Sequence, residues 1–387
     1  MKQRLFLAGA TGSIGQSALD ILRNMSDKFQ LVGFSAHRNL LIAKKIINEF
    51  KPEFAIFTHE ETYKQIKREK YSDTKLLFGI KEACKIIQNE NIDIVLNSIV
   101  GGAGLIITHY AVENVKRLAL ANKESLVIAG DIIIKKAKEN ECEILPVDSE
   151  HNAVFQALSG ETNEKIRKIW LTASGGPFLH TKKEDFCKIT LSQALKHPNW
   201  DMGSKITIDS ATMMNKGLEV IEAHHLFEVG YEKIYVVIHP ESVIHSMVEF
   251  VDGNFIAQLG KTDMRGPIQY SLTYPERERS VNHDFDLFEI SKYHLIRPDF
   301  ERFPCLLLAY KAGRSGLLSC NILNAANEAA VYLFLNKKIH FTSIPKIVSD
   351  MLEKSDLRCP TNIDEIIAIH DEIKKKAIEH GEKEYSW

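Results

Sequence analysis

The chain lacks the features that mark membrane, nucleic-acid-binding or disulfide-rich proteins. No uncharged apolar stretch approaches the roughly 18 residues of a membrane-spanning helix, and the six cysteines are scattered without a Cys-x-x-Cys pair. That spacing argues against both a disulfide framework and a zinc site. The 49 basic residues nearly balance the 51 acidic ones, so the net charge of -2 provides no general attraction to nucleic acid or membranes. We therefore expect a cytoplasmic protein that binds any anionic substrate through local groups.

With 387 residues, the chain is long enough for two or three domains. Residues 1–147 alternate short β-type runs with amphipathic segments, which predicts an α/β fold with an N-terminal Rossmann-like, doubly wound parallel sheet. The predicted strands are 5–8, 31–35, 54–57, 92–96, 118–121 and 143–147.

The rest of the chain divides into three predicted parts. Residues 148–274 predict a central α+β catalytic domain, residues 275–304 a charged, proline-containing connector, and residues 305–387 a small C-terminal helical domain. In the central domain we predict strands 166–172, 205–208 and 234–238, a helix 210–228 and a hairpin of 243–250 with 254–259 around Asp252-Gly253. The predicted C-terminal helices are 306–312, 323–335, 344–352 and 364–379, and we assign them no chemistry.

A glycine motif, 9–15, lies between the first predicted strand and the first predicted helix. Glycines at this point let backbone amides approach a pyrophosphate at a helix N-terminus, which predicts dinucleotide binding. Sites for NAD usually place an acidic residue at the end of the second strand, but this chain has His37, Arg38 and Asn39 there. Arg38 is suited to a 2′-phosphate, so NADPH is the expected cofactor. Alternatively, Arg38 is an ordinary exposed charge.

Two acidic residues come directly after the predicted nucleotide-binding domain, residues 1–147. Asp148 and Glu150 are two positions apart, so on an extended backbone both carboxylates leave the same face and share one cation. The alternative interpretation is two surface acids on a loop.

A second polar cluster follows Asp209 and Ser210, which we interpret as helix N-cap residues. Helical spacing then brings Asn215, Lys216 and Glu219 to one face. Asp148, Glu150 and Glu219 together form an all-oxygen ligand set, which suits Mg²⁺ or Mn²⁺ better than zinc. An ordinary surface Lys-Glu pair is the alternative for Lys216 and Glu219.

Other polar residues suit a phosphorylated substrate. Ser174 lies in a glycine turn where a hydroxyl and free amides bind anions, and Ser210 and Lys216 offer further donors. The loop 197–203 has a proline and a glycine near its ends with Trp200 between them, which is typical of a lid that excludes water. The alternative interpretation is that Trp200 fills a hydrophobic core.

Two other kinds of active site fit the sequence poorly. The Tyr63/Lys67 pair comes too early in the chain to be the proton-donor pair of a short-chain dehydrogenase. Cys142 lies in an apolar run, whereas a nucleophilic cysteine needs a polar turn. A metal-free NADP-dependent dehydrogenase of a small phosphorylated carbonyl compound and a non-catalytic nucleotide sensor both remain open.

Seven motifs follow one another along the chain: GATGSIG, ALANKESLV, LPVDSEHNA, LTASGGPF, HPNWDMG, DSATMMNKGLE and HPESVIHSMV. In this order and spacing they closely resemble the 1-deoxy-D-xylulose 5-phosphate reductoisomerase family. The resemblance is strong from residue 1 to about residue 275, and the helical tail is similar in layout. It implies NADPH- and divalent-metal-dependent conversion of the ketose phosphate to 2-C-methyl-D-erythritol 4-phosphate, in the non-mevalonate isoprenoid pathway, by a homodimer.

The resemblance also implies roles for individual residues. The implied metal ligands are Asp148, Glu150 and Glu219, and the implied catalytic residues are these three with Lys123. The implied substrate contacts are Lys123, Ser149, Glu150, Ser174, His197, Ser210, Asn215, Lys216 and Glu219, with Trp200 and Met202 on the closing loop and His245 nearby. The implied cofactor contacts are Thr11, Gly12, Ser13, Ile14, His37, Arg38, Asn39, Asn122, Glu124 and Gly203. The chain departs from the family's common Gly-Lys-Asn at 37–39 but keeps a positive charge there.

Overall fold

The structure, a computed structural model, describes residues 1–200, 202–281, 285–289, 292–354 and 358–386. Asp201 of the predicted lid, and residues 282–284 and 290–291 of the predicted connector, lie outside the described residues. Two compact units are present. The first comprises Met1–Asn122, Ile133–Asn152 and Asp263–Asp284, and the second comprises Lys123–Ile132, Ala153–Thr262 and Phe285–Trp387.

The first unit contains a seven-stranded, fully parallel sheet. Its strands are β1 (Gln3–Ala8), β2 (Phe29–Ala36), β3 (Phe54–Phe57), β4 (Lys75–Phe78), β5 (Ile94–Asn97), β6 (Arg117–Leu120) and β7 (Glu143–Pro146). The order β4-β3-β2-β1-β5-β6-β7 reverses direction between β1 and β5, where doubly wound sheets bind their ligands. The predicted doubly wound sheet is confirmed.

A helix follows each of these strands. The helices are α1 (Ser13–Asn24), α2 (Leu40–Phe50), α3 (Glu60–Ile66), α4 (Ile80–Asn89), α5 (Leu105–Asn114), α6 (Lys123–Glu139) and α7 (Ser149–Ala157), with a short 3-10 helix at Gly102–Gly104. The central strands are apolar along almost their whole length because helices cover both faces of a parallel sheet. Leu5 and Leu7 of β1 and Phe34 of β2 have no exposed surface and pack in one core with α1 and α2.

The second unit contains a mixed four-stranded sheet of order β11-β10-β8-β9. Its strands are β8 (Ile166–Ala173), β9 (Ile234–Ile238), β10 (Ile244–Phe250) and β11 (Phe255–Leu259), and β10 and β11 form the predicted antiparallel hairpin. Between β8 and β9 lie the helices α8 (Leu191–Ala194), α9 (Ser204–Ala211) and α10 (Met214–Phe227). The helix after β11, α11 (Arg265–Thr273), belongs to the first unit. The short 3-10 helices are Asn163–Lys165, Lys183–Lys188, Tyr231–Lys233 and Leu287–Glu289.

The C-terminal part of the second unit is helical, as predicted. Its helices are α12 (Pro304–Ser315), α13 (Leu317–Leu335), α14 (Ser343–Lys354) and α15 (Ile363–Glu384). Asn362 caps α15, since its side chain accepts a 2.9 Å hydrogen bond from the amide of Glu365. Among the described residues, no helix combines the length and the apolar character that crossing a bilayer requires.

Two predictions about strands were wrong or incomplete. Residues 205–208 belong to α9 rather than to a strand, although Ile206, Thr207 and Ile208 favour strands locally. Thr207 and Ile208 are buried, so burial within the unit outweighs this local preference. β4 was not predicted, because it is a short edge strand with half-exposed side chains and no clear alternation.

Candidate functional site

The glycine motif forms a tight loop between β1 and α1. Gly9 has a positive φ of 82°, and its amide donates a 3.0 Å hydrogen bond to Oγ of Ser35 at the end of β2. A Cβ on Gly15 would lie 2.5 Å from the backbone of Ala10, so only glycine lets α1 approach the loop this closely. Gly12, the N-cap residue of α1, and Ser13 are exposed, and no side chain caps the helix. The first amides of α1 are thus available to an anion.

The second strand ends in the predicted cationic segment. His37, Arg38 and Asn39 are exposed, and the Asn39 side chain caps α2 by accepting a 3.1 Å hydrogen bond from the Ile42 amide. Partial burial lowers the pKa of His37, and the Arg38 charge lowers it further. The predicted cofactor residue Asn122 is buried and donates to the carbonyl groups of Ile99 and Gly101, at 2.6 and 2.9 Å. Asn122 therefore fixes the loop after β5, which lies beside β1 in the sheet.

Asp148 and Glu150 lie where β7 passes into α7. The helix begins at Ser149, so Glu150 lies on a helix and the extended backbone considered for this pair is not present. Both carboxylates are half-buried. Ser149 Oγ donates a 2.6 Å hydrogen bond to Oε2 of Glu150, and the Asp148 carbonyl accepts from the Asn152 amide at 2.8 Å. The two acids are thus held at the N-terminal end of a helix, where negative charge is favoured.

The second predicted cluster is present in the second unit. Glu219 Oε1 accepts from Lys123 Nζ at 3.1 Å and from the Asn215 amide group, while its Oε2 pairs with Lys216. Lys123 also donates to Asn215 Oδ1 at 2.9 Å. Glu219 has no exposed surface and Lys216 is buried, so this cluster is not the surface ion pair that we weighed as the alternative.

The start of α10 differs from our prediction. Asp209 and Ser210 lie inside α9, and the residue preceding α10 is Met213 with a positive φ of 62°. Gly217 has a packing role, because a Cβ there would lie 2.5 Å from Cβ of Ala309 in α12. This close helix-helix approach explains a glycine in the middle of a helix.

Two of the predicted anion-binding residues, Ser174 and Ser210, lie at one turn of the second unit. Gly176 has a φ of 67°, and a Cβ there would lie 2.8 Å from the Ser210 carbonyl oxygen, so the turn after β8 lies directly against α9. Ser174 Oγ is 3.1 Å from His197 Nε2. Since His197 Nδ1 accepts from the amides of Asn199 and Trp200, the proton of the neutral ring is on Nε2 and points to Ser174.

The loop with Trp200 lies near the predicted residue His245. The two ring centroids are 6.5 Å apart, and Trp200 is half-buried rather than a core residue. Met202 is half-buried as well, and Gly203 is exposed and begins α9 as its N-cap residue.

The cysteines offer no nucleophile of the kind that we considered. Burial raises the pKa of Cys142 to about 12, which keeps this thiol protonated and weakly reactive. All six cysteines are free thiols.

Comparisons with known proteins show which family the chain is similar to. Family models described as 1-deoxy-D-xylulose 5-phosphate reductoisomerase match residues 5–130, and models of its C-terminal domains match residues 144–227 and 259–376. Proteins of that name from Clostridium perfringens and Clostridium tetani are 48% and 50% identical to this chain. They align over 96% and 94% of it, and over 98% and 96% of their own lengths.

Solved structures are also similar over the whole fold. The Zymomonas mobilis enzyme in complex with NADPH is 39% identical with a TM-score of 0.91, covering 98% of this chain and 99% of that one. A structure of the same enzyme type in complex with NADPH, fosmidomycin and magnesium is 40% identical with a TM-score of 0.93, covering 98% of each chain.

Proposed function

The chain belongs to the 1-deoxy-D-xylulose 5-phosphate reductoisomerase family, and we propose on this premise that it rearranges and reduces 1-deoxy-D-xylulose 5-phosphate to 2-C-methyl-D-erythritol 4-phosphate. The reaction uses NADPH and a divalent cation and supplies the non-mevalonate isoprenoid precursor pathway. The observation that carries this proposal is the buried cluster of Lys123, Asn215, Lys216 and Glu219, within a chain that resembles these enzymes almost from end to end.

We propose that Asp148, Glu150 and Glu219 bind the divalent cation. All three offer carboxylate oxygens, the donors that Mg²⁺ and Mn²⁺ prefer, and none of the three is fully exposed. A related structure was solved with magnesium. A bound cation would polarise the substrate carbonyl and stabilise negative charge on its oxygen.

The first unit has the features that NADPH needs. Cβ atoms on Gly9 and Gly15 would collide with Ser98 and with the Ala10 backbone, so the loop needs glycine at both positions, and the uncapped N-terminus of α1 favours negative charge. We propose that Thr11, Gly12, Ser13 and Ile14 contact the pyrophosphate. Arg38, with His37 and Asn39 beside it, contacts the 2′-phosphate, and Asn122, Glu124 and Gly203 complete the cofactor contacts. The nicotinamide supplies the hydride for the reduction.

The remaining residues bind the sugar phosphate and handle protons. Ser174, Ser210, Asn215 and Lys216 bind the phosphate, with His197 oriented towards Ser174. Glu150 takes up the proton of a substrate hydroxyl, with Ser149 beside it, and Lys123 stabilises developing negative charge. Trp200 and Met202 close over the substrate near His245, so that binding of the distant phosphate excludes water from the reacting carbons.

The direct test follows NADPH absorbance with 1-deoxy-D-xylulose 5-phosphate, with and without added Mg²⁺ or Mn²⁺. We expect NADPH oxidation only when the ketose phosphate and the divalent cation are both present, and inhibition by fosmidomycin. Full activity after exhaustive chelation would instead favour a metal-free NADP-dependent dehydrogenase. Binding of NADPH without any turnover would favour a nucleotide sensor.

We further propose that the enzyme is a cytoplasmic homodimer. Six free thiols suit a reducing compartment. β11 lies at an edge of its sheet and exposes Phe255, Ile256 and Leu259, by 54%, 47% and 40% of their surfaces. An exposed apolar edge strand is a template for pairing, and a second copy of this strand would cover these side chains. Light scattering should give twice the 43.9 kDa chain mass, and Ile256→Lys should lower it towards one chain.

A further inference from the structure

Lys205 connects two carboxylates that lie on different helices, and all three residues belong to the second unit. Its Nζ lies 2.7 Å from Glu124 Oε1 of α6 and 2.7 Å from Asp209 Oδ2 of α9. Glu124 and Asp209 are both buried, and the Lys205 side chain is only 18% exposed. Burial by itself would lower the pKa of Lys205, but the attraction of Asp209, Glu124 and Glu328 raises it. With both distances at 2.7 Å, the Lys205 amino group bridges α6 and α9.

The same network continues into the C-terminal helices. The Asn327 side chain on α13 donates a 2.8 Å hydrogen bond to Asp209 Oδ1 and has no exposed surface. The next residue, Glu328, pairs with Lys374 at 2.7 Å and with His370 at 3.6 Å, both on α15. Buried polar contacts thus run from α6 through α9 to Asn327 on α13, and the neighbouring Glu328 links α13 to α15.

Both carboxylates held by Lys205 adjoin residues with proposed roles in the reaction. Glu124 directly follows Lys123, which donates to Asn215 and Glu219. Asp209 directly precedes Ser210, whose carbonyl oxygen lies against the turn that carries Ser174. The ion pairs of Lys205 therefore set the distance between the start of α6 and the end of α9.

We propose that Lys205 is a positioning residue for the reductoisomerase reaction, an inference that rests on the proposed function. Lys205 acts through Glu124 and Asp209, and holds Lys123 and Ser210 at the separation that the sugar phosphate requires. Asn327 fixes the Asp209 end of this arrangement to the C-terminal helices, which thereby contribute to substrate binding as well as to stability. Side chains that hold other side chains in place are a recognised requirement of accurate active sites.

The test compares three lysine variants of the full-length enzyme in the NADPH assay. Lys205→Met removes the charge and keeps most of the aliphatic chain, Lys205→Arg keeps the charge, and Lys346→Met on the exposed side of α14 is the control. We expect Lys205→Met to lower kcat/KM by about 100-fold, since small displacements of binding groups cost that much. The loss should appear in both kcat and KM for the sugar phosphate, because Lys123 serves turnover and Ser210 serves binding. Lys205→Arg should keep most of the wild-type kcat/KM, and Lys346→Met should behave as wild type.

Asn327→Ala provides the second test and decides the question if Lys205→Met does not fold. This change removes the hydrogen bond to Asp209 and leaves the ion pair between Lys205 and Glu124 in place. Because Asp209 adjoins Ser210, KM for the sugar phosphate should rise more than kcat falls. Combined with Lys205→Met, it should add little, because coupled residues are not additive.

Four results would overturn the inference. The first is that the folded Lys205→Met and Asn327→Ala variants both keep kcat and KM within about twofold of wild type. A lower Tm in these variants would then show a role in stability alone. The second is a Lys205→Arg variant as impaired as Lys205→Met, and the third is full additivity of the two changes. The fourth, an inactive wild type, would overturn the function and the inference together, whereas an active wild type with unaffected variants overturns the inference alone.

Discussion

Lys123 Nζ lies 3.1 Å from Glu219 Oε1, although 96 positions separate the two residues in the chain. The carboxylate has no exposed surface and pairs with Lys216 as well. Both ammonium groups therefore share one buried acid, and removing it takes a nearby negative charge away from each of them.

Glu219→Gln should lower the free energy of unfolding by about 3 to 5 kcal/mol, the usual cost of removing one partner of a buried ion pair. Urea unfolding at pH 7 measures this loss, and turnover should disappear as well. Glu379→Gln on the exposed side of α15 is the control. An unchanged unfolding midpoint for Glu219→Gln would show that Lys123 and Lys216 find other partners.

Asp148→Asn should abolish turnover and leave NADPH binding nearly intact, because Asp148 is proposed to bind the cation and not the cofactor. Fluorescence titration gives the Kd for NADPH, and absorbance gives kcat. The exposed Asp27→Asn serves as the control and should change neither quantity. Equal losses in cofactor binding and turnover would indicate a folding defect instead.

Arg38→Ala should reduce the preference for NADPH over NADH by about 10- to 100-fold, the value of one hydrogen bond to a charged group. The measurement is kcat/KM for each cofactor. Arg68→Ala, an exposed change in the same unit, should leave the ratio as it is. The same ratio in Arg38→Ala would mean that another group binds the 2′-phosphate.

His225 should make the protein less stable in weak acid. Burial lowers the pKa of His225 to about 4, with His224 adding to the effect and Asp131 opposing it. The folded form is therefore protonated less readily than the unfolded form, whose pKa is about 6.5. The stabilisation is complete above pH 6.5 and is lost as the pH falls towards 4.

His225 alone should lower the free energy of unfolding by about 2 kcal/mol between pH 7.5 and pH 5. Urea unfolding at several pH values measures the slope, which should be shallower in His225→Asn. His180→Asn, at an exposed position, should keep the wild-type slope. Identical slopes in wild type and His225→Asn would assign the acid sensitivity to other groups.

Much of the fold follows from local patterns. The glycine loop after β1, the hairpin around Asp252-Gly253 and the C-terminal helices all lie where the sequence predicts them. Asn215, Lys216 and Glu219 also converge as their helical spacing predicts, because positions three and four apart share a face.

Other features depend on contacts between distant residues. The sequence by itself determined which segments are buried and which carry the polar groups of a metal- and NADPH-dependent enzyme. Only the tertiary structure decided that Ser204–Ala211 is helical, that Glu150 lies on a helix and that Lys205 bridges Glu124 and Asp209. The reason is physical: hydrophobic periodicity is a property of neighbouring residues, whereas the pairing of buried charges depends on how helices far apart in the chain pack together.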